Sequence, residues 1–381
     1  MRLFHAVILI LLAASWSCSG KPAAGADRTG AGASPMQYAT LLTIDQQPDY
    51  TVVTVADPWN APALLARYVL VDSGCPVPDN VPDGILLQVP LASAVVFSNV
   101  HAALLHELGH ADVVTGVADA HYITDSVVVR GVADGTVADC GTATDPDIEK
   151  IAMLQPDAVL FSPYSAADGV AARLARTTVP TVMCADYLEA DPLGRAEWMR
   201  FYGRLIGEGN RADSLFACVA AQYNRTKALT ANAAGRPSVL MDTRYGDVWY
   251  VPVAGSTTDA LITDAGGTNP FSSLGHGDSR PLSAEQVLAV AADADVWLVR
   301  YFAPAPMGLA AFRASAAEIP HFSAARRGDV YGCNTAVSPF YDVVPFHPQF
   351  ILADMARILH PELADSIAPS PYSFYQRLCA R

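Results

Sequence analysis

Asp147-Ile148-Glu149-Lys150-Ile151-Ala152-Met153-Leu154-Gln155-Pro156-Asp157-Ala158-Val159-Leu160-Phe161 reads as one helix-to-strand unit: a helix opened by Asp145-Pro146-Asp147, then the buried strand Ala158–Phe161. A second unit repeats it in the distal half, where the helix Ser283–Ala291 leads through Ala294-Asp295 into the strand Val296–Val299. Outward from the first unit, Val95-Val96-Phe97-Ser98 is a buried strand, Ala102–Leu108 a helix with Leu104, Leu105 and Leu108 on one face, and Val113–Val117 another strand. Beyond Phe161 follow the helix Ala167–Arg176 and the strand Thr181–Met183. Around the second unit lie the strand Val239–Asp242, helices Thr258–Ala265 and Leu309–Ala317, the strand Asp329–Tyr331 and a closing helix Pro348–Leu359. Strand–helix alternation of this kind predicts parallel sheets covered by helices.

Between the halves, residues 192–233 read as a long, nearly unbroken helical region. Pro192 suits a first turn, and Trp198, Phe201, Tyr202, Leu205 and Ile206 recur at helical spacing, with a break at Gly207-Glu208-Gly209. The predicted architecture is α/β: a lobe over residues 93–190, an interlobe helix over 191–235 and a second lobe over 236–381. Residues 38–92 form a separate β-rich extension, with strand-like runs at Ala39–Ile44, Tyr50–Val55, Tyr68–Val71 and Ile85–Val89 punctuated by prolines.

The composition excludes several classes. Against 24 Lys and Arg stand 38 Asp and Glu, a net charge of −14 over 381 residues, whereas a nucleic-acid binder needs a basic footprint. Hydrophobic residues make up 51%, too many for a disordered chain. No apolar run beyond Trp16 reaches the roughly 18 residues of a membrane span.

The first 18 residues read as an export signal, with Arg2 before the apolar run Ala6–Ala14. Ser15-Trp16-Ser17-Cys18 resembles a bacterial lipoprotein cleavage site, so Cys18 is the predicted lipidation point. Residues 19–37 are rich in Gly, Ala, Ser and Pro, as a flexible tether is. Cys18 aside, Cys75, Cys140, Cys184, Cys218, Cys333 and Cys379 remain; export permits disulfides among them, and buried free thiols are the equal alternative.

Four phrases, in order, resemble one family. Asp147 to Leu160 resembles the glutamate–helix–leucine-x-proline-aspartate–strand segment of the ABC-transporter binding proteins for vitamin B12 and ferric siderophores, and Ser283 to Leu298 resembles its counterpart in the second lobe. Pro192-Leu193-Gly194-Arg195-Ala196-Glu197-Trp198 resembles the start of that family's interlobe helix. Trp249-Tyr250-Val251-Pro252 with Asp264-Ala265-Gly266-Gly267 resembles its ligand-side strand and loop. The resemblance spans about residues 93–365 and leaves 38–92 without a role. It implies two lobes around a cleft, a stiff connection, and a binder rather than an enzyme. Such a protein captures a metal chelate in the periplasm and delivers it to permease subunits of an ABC importer. Glu149 and Glu285 match the surface glutamates that dock on the permease in that family.

His106-Glu107-Leu108-Gly109-His110 also fits HExxH, the pattern of zinc metalloproteases. The longer form of that pattern fails at Val113 and Gly116, and in the resembled family the segment is a helix ended by glycine. A zinc protease, or a zinc-capturing protein using His101, His106, His110 and His121, is the alternative function.

Ligands of parallel α/β folds bind beyond the carboxyl ends of the strands. That rule nominates His121, Tyr122 and Tyr164 in the first lobe, and Arg244, Tyr245, Trp249, Tyr250, Arg300 and Tyr301 in the second. Aromatic faces suit a corrin rim or a catecholate, and Arg suits anionic oxygens. Asp186, Glu189, Arg195 and Glu197 read as structural ion pairs. The expectation is a lipid-anchored, extracytoplasmic solute-binding protein with no cofactor of its own and no metal site, whose ligand is a ferric siderophore or cobalamin, with haem a third candidate.

Overall fold

Ala94–Val96, Val114–Val117, Ala158–Phe161 and Thr181–Met183 are apolar runs buried on both faces, and they associate as a parallel sheet. With the short edge strand Ala138–Asp139, the sheet has five strands, and its order reverses between Ala94–Val96 and Ala158–Phe161. The computed structural model describes residues 35–379. The predicted signal with Cys18, and the tether as far as residue 34, lie outside the described residues.

Three of the helices between these strands are capped by the residues that precede them. Asp125 accepts from the Val127 and Val128 N–H groups, Asp147 from that of Lys150, and Asp168 from those of Val170 and Ala171. The second lobe's main sheet is smaller. Val239–Met241, Val296–Tyr301 and Val330–Asn334 are parallel, and Gln376–Arg377 adds an antiparallel edge. A separate antiparallel pair, Trp249–Pro252 with Ser279–Leu282, lies beside it.

The predicted long interlobe helix is three helices, Pro192–Glu197, Met199–Leu205 and Gly209–Thr230. The sharp turn before the last one needs the left-handed φ of +78° at Gly207, which glycine adopts without penalty. Trp198, Phe201, Tyr202, Leu205, Phe216, Val219 and Tyr223 are buried along these helices in one core shared by both lobes.

Residues 38–92 fold as a four-stranded sheet in chain order, Leu42–Gln46, Thr51–Ala56, Leu64–Asp72 and Ile85–Val89. The first two pairings are antiparallel and the last is parallel. This sheet is sewn to the first lobe by Tyr68, whose hydroxyl accepts the Met183 N–H at 2.7 Å and donates to the Thr181 carbonyl at 3.2 Å. Its ring stacks on Phe201 at 5.6 Å.

Of the expected ion pairs near the hinge, Asp186–Arg195 forms at 3.3 Å and Glu197–Arg200 at 3.0 Å. Glu189 is different: it is buried and its partners are the Thr40 and Leu41 N–H groups, the Thr40 hydroxyl and the Trp198 indole N–H. Among the described residues no helix is long and apolar enough to cross a membrane.

Candidate functional site

Loops leaving the carboxyl ends of the two parallel sheets carry aromatic rings that no core covers. In the first lobe Tyr122 ends a turn entered through Asp119, and its ring lies 3.9 Å from that of His121, itself exposed. Tyr164, three residues past the strand end at Phe161, is 65% exposed. In the second lobe Tyr245 is 86% exposed and Phe302 82%. Tyr341 follows the last parallel strand and is also exposed. Large rings left bare at strand ends are the usual lining of a cleft for an apolar or planar ligand.

Other nominated residues are committed elsewhere. Trp249 is a correction: it is 1% exposed, stacks on Trp297 at 5.7 Å, meets Phe322 at 5.7 Å and donates its indole N–H to the Met241 carbonyl. Strand alternation turns Trp249 into the core and Tyr250 outward, so only Tyr250 of that pair is exposed. Arg300 is held by a carboxylate of its own lobe. Its guanidinium forks onto both Asp242 oxygens, its backbone N–H donates to the same carboxylate, and its Cζ lies 5.5 Å from the Phe340 ring centre. Arg244 is bound to Glu318 and to the Gly246 carbonyl. The Tyr301 hydroxyl accepts the Met307 N–H at 3.0 Å, and its ring lies against Gly332. Trp249 thus belongs to the core, whereas Arg244, Arg300 and Tyr301 are engaged by neighbours within their own lobe.

Phe302, Val337 and Tyr341 were missed in the sequence. The strand Val296–Tyr301 runs two residues beyond its predicted end, which draws Arg300 and Tyr301 into the sheet and makes Phe302 the first residue outside it. Strand Val330–Asn334 also runs further than predicted, past Tyr331.

The HExxH segment does not assemble a metal site. The helix is Asn99–Glu107, and Gly109 at a φ of +91° turns the chain, so His110 lies past the helix end. His106 Nδ1 is hydrogen-bonded to Asp125, whereas His110 Nε2 meets Glu208 at 3.2 Å. Glu107 instead accepts from His347 of the second lobe at 2.8 Å. Among the described residues, no cluster of three His, Cys, Asp or Glu side chains is arranged to hold a metal. Cys75, Cys140, Cys184, Cys218, Cys333 and Cys379 are all free thiols; Cys140, Cys184 and Cys333 are buried, and burial raises each of those three pKa values.

Glu149 and Glu285 are exposed, each in the first turn of its helix. Ser283 caps the second of these helices in a reciprocal box with Gln286. The Ser283 hydroxyl also holds the Glu285 carboxyl below its ordinary range.

Two α/β lobes with parallel sheets, linked by helices and opening loops from their strand ends, are the architecture of a two-lobed solute-binding protein. The chain belongs to the periplasmic binding protein family, whose pattern it matches over residues 95–336. That family consists of solute-binding proteins rather than enzymes. A curated relative, an uncharacterized lipoprotein of Methanocaldococcus jannaschii, is 25% identical over 312 residues, 78% of this chain and 73% of the relative. Among solved structures, a periplasmic haem-binding protein from Pseudomonas aeruginosa is 16% identical and covers 76% of this chain and 99% of its own, with a TM-score of 0.54. Helicobacter pylori CeuE with Ni(II) bound is 12% identical, covering 74% of this chain and 88% of its own, with a TM-score of 0.55. The periplasmic haem-binding protein BhuT, in complex with two haems, is 20% identical over 72% of this chain and 99% of its own, with a TM-score of 0.54. At these identities the structures share the fold.

Proposed function

We propose that this protein is the extracytoplasmic capture component of an ABC importer and holds an iron chelate or a corrinoid between its lobes. The observation that carries this reading is the set of exposed rings at the strand ends of both lobes, Tyr122 and Tyr164 on one and Tyr245, Phe302 and Tyr341 on the other. The commitment of Arg244 to Glu318 and of Arg300 to Asp242 takes two cations out of the cleft's charge. What remains suits a large, flat ligand held by stacking better than a multiply charged ferric siderophore. Haem-binding proteins among the structures of like fold support the same ligand class. In this reading no cofactor is needed beyond the ligand, the lipid on Cys18 anchors the protein to a membrane, and Glu149 and Glu285 meet the permease; a relative described as a lipoprotein supports the anchor.

The test is a titration of the purified protein with hemin, cobalamin, and ferric catecholate and hydroxamate siderophores, read by intrinsic fluorescence and thermal shift. A ligand at 100 times its Kd stabilises by about 2.7 kcal/mol. No saturable response to any of the four would sink the proposal.

A further inference from the structure

A cavity of about 230 Å³ opens where the first lobe's strand order reverses, outside Ala94–Val96 and Ala158–Phe161, and Ser98, His101, Ser162, Asp186 and Arg195 line it. Ligands of doubly wound sheets bind at this crevice. The volume is below that of a pocket for a whole drug-sized molecule, so it fits a limb of a ligand and not a chelate.

Two of its polar groups, Ser98 and Arg195, are unspent donors. Ser98 occupies the N-cap of the helix Asn99–Glu107 but makes no side-chain cap bond, so the first N–H groups of the helix lack that acceptor, and its hydroxyl has no hydrogen-bond partner among the described residues. That helix end is electropositive. Arg195 gives only its Nε to Asp186, and its two terminal nitrogens have no hydrogen bond among the described residues. Asp186 offers little acceptor capacity, because it already receives His101 at 3.0 Å, the Tyr202 hydroxyl at 2.8 Å and Arg195 at 3.3 Å. Burial alone would raise its pKa, but His101 and Arg195 outweigh that and hold it at about 2, so it stays ionised. His101 is 2% exposed, and its Nδ1 has no partner among the described residues. A buried polar atom without a partner marks a place where a further group belongs.

We infer that this cavity is a carboxylate subsite: it takes an acidic limb of the bound ligand between the Arg195 fork, the Ser98 hydroxyl and the start of the helix. The inference rests on the cleft reading only for what the limb is attached to. It separates ligand classes, since haem carries two propionates whereas the acetate and propionate arms of cobalamin are amides.

Two measurements test it. Citrate should saturably raise the melting temperature of the wild type and not of Arg195→Gln; an equal rise in both would overturn the inference. Hemin should bind the wild type roughly 10- to 100-fold more tightly than its dimethyl ester, the range for a charged hydrogen-bonded pair. Arg195→Gln should bring hemin to the ester's affinity and leave the ester unchanged. Equal binding of hemin and ester by the wild type would also overturn it. Should Arg195→Gln fail to fold, Ser98→Ala removes a donor that makes no cap bond, and it should narrow the same ratio severalfold. A citrate effect that depends on Arg195, with no chelate bound at all, would sink the proposed function and leave the carboxylate site standing.

Discussion

Glu197 accepts the backbone N–H of Tyr38 at 2.9 Å, across almost the whole first lobe in sequence. The same fully buried carboxylate takes the Gln37 and Ala39 N–H groups, each at 3.0 Å, and pairs with Arg200. Glu189 continues the series with Thr40 and Leu41, so consecutive N–H groups from Gln37 to Leu41 are held by carboxylates of the hinge segment. The end of the tether is thereby fixed to the interlobe helices.

Glu197→Ala should therefore be destabilising, by about 1–3 kcal/mol, because the Gln37, Tyr38 and Ala39 N–H groups would lose their shared acceptor, while Arg200 keeps its bond to Asp213. Denaturant unfolding measures the loss, and limited proteolysis should show cleavage near residues 35–41. Unchanged stability and unchanged cleavage would show that this clamp contributes nothing to the hinge.

Trp249 and Tyr250 provide a paired comparison. Trp249→Ala removes a ring packed between Trp297 and Phe322 and should cost about 3–5 kcal/mol of stability. Tyr250→Ala, on the outward face, should change stability by less than about 0.5 kcal/mol. Equal stability losses would contradict the strand alternation that sends one ring in and the other out.

Local signals made the fold legible. The helix starts at Asp147 and Ser283, the apolar strand runs and the order of the repeated units all recur in the structure. The site was less so, because a strand's last residue is set by its neighbours. Arg300 and Tyr301 stay in the sheet because Cys333 and Asn334 continue the pairing, which nothing in Val296–Val299 discloses. The roles of Glu189 and Glu197 were hidden for a different reason: their partners are backbone groups of residues 37–41, which have no side-chain signature.

Asp354 gives a pH dependence. It is buried, accepts the Tyr375 N–H at 2.7 Å, and burial raises its pKa to about 6. A carboxyl raised above its unfolded value binds its proton more tightly in the folded state, so its contribution is full at low pH and is lost as pH rises through about 6. Asp354→Asn keeps an acceptor for Tyr375 and removes the charge. It should stabilise the protein at pH 8 by roughly 1–3 kcal/mol, with the gain vanishing near pH 4. A gain independent of pH would assign the effect to something other than this carboxyl.

Cys18→Ser tests the anchor. In cells the variant should move from the membrane fraction to the soluble one, while the purified domain keeps its ligand affinity. An unchanged membrane fraction would remove the lipid.

The docking role proposed for Glu149 and Glu285 rests on their equivalent places in the two lobes. Each is exposed in the first turn of a helix that leads into a central strand of its lobe, Ala158–Phe161 in one and Val296–Tyr301 in the other. A carboxylate there is favoured by the helix dipole whether or not it meets a partner, so stability cannot reveal the role. Transport can. Glu149→Ala and Glu285→Ala should leave equilibrium ligand binding unchanged and slow uptake by a reconstituted importer, with the double variant slower than either. Reversal to Arg should be worse than Ala, because a repulsive charge then faces the cation that the glutamate meets. The comparison must use proteins saturated with ligand beforehand, which removes capture from the measured rate. Wild-type transport by the saturated double variant would reduce both glutamates to ordinary first-turn residues.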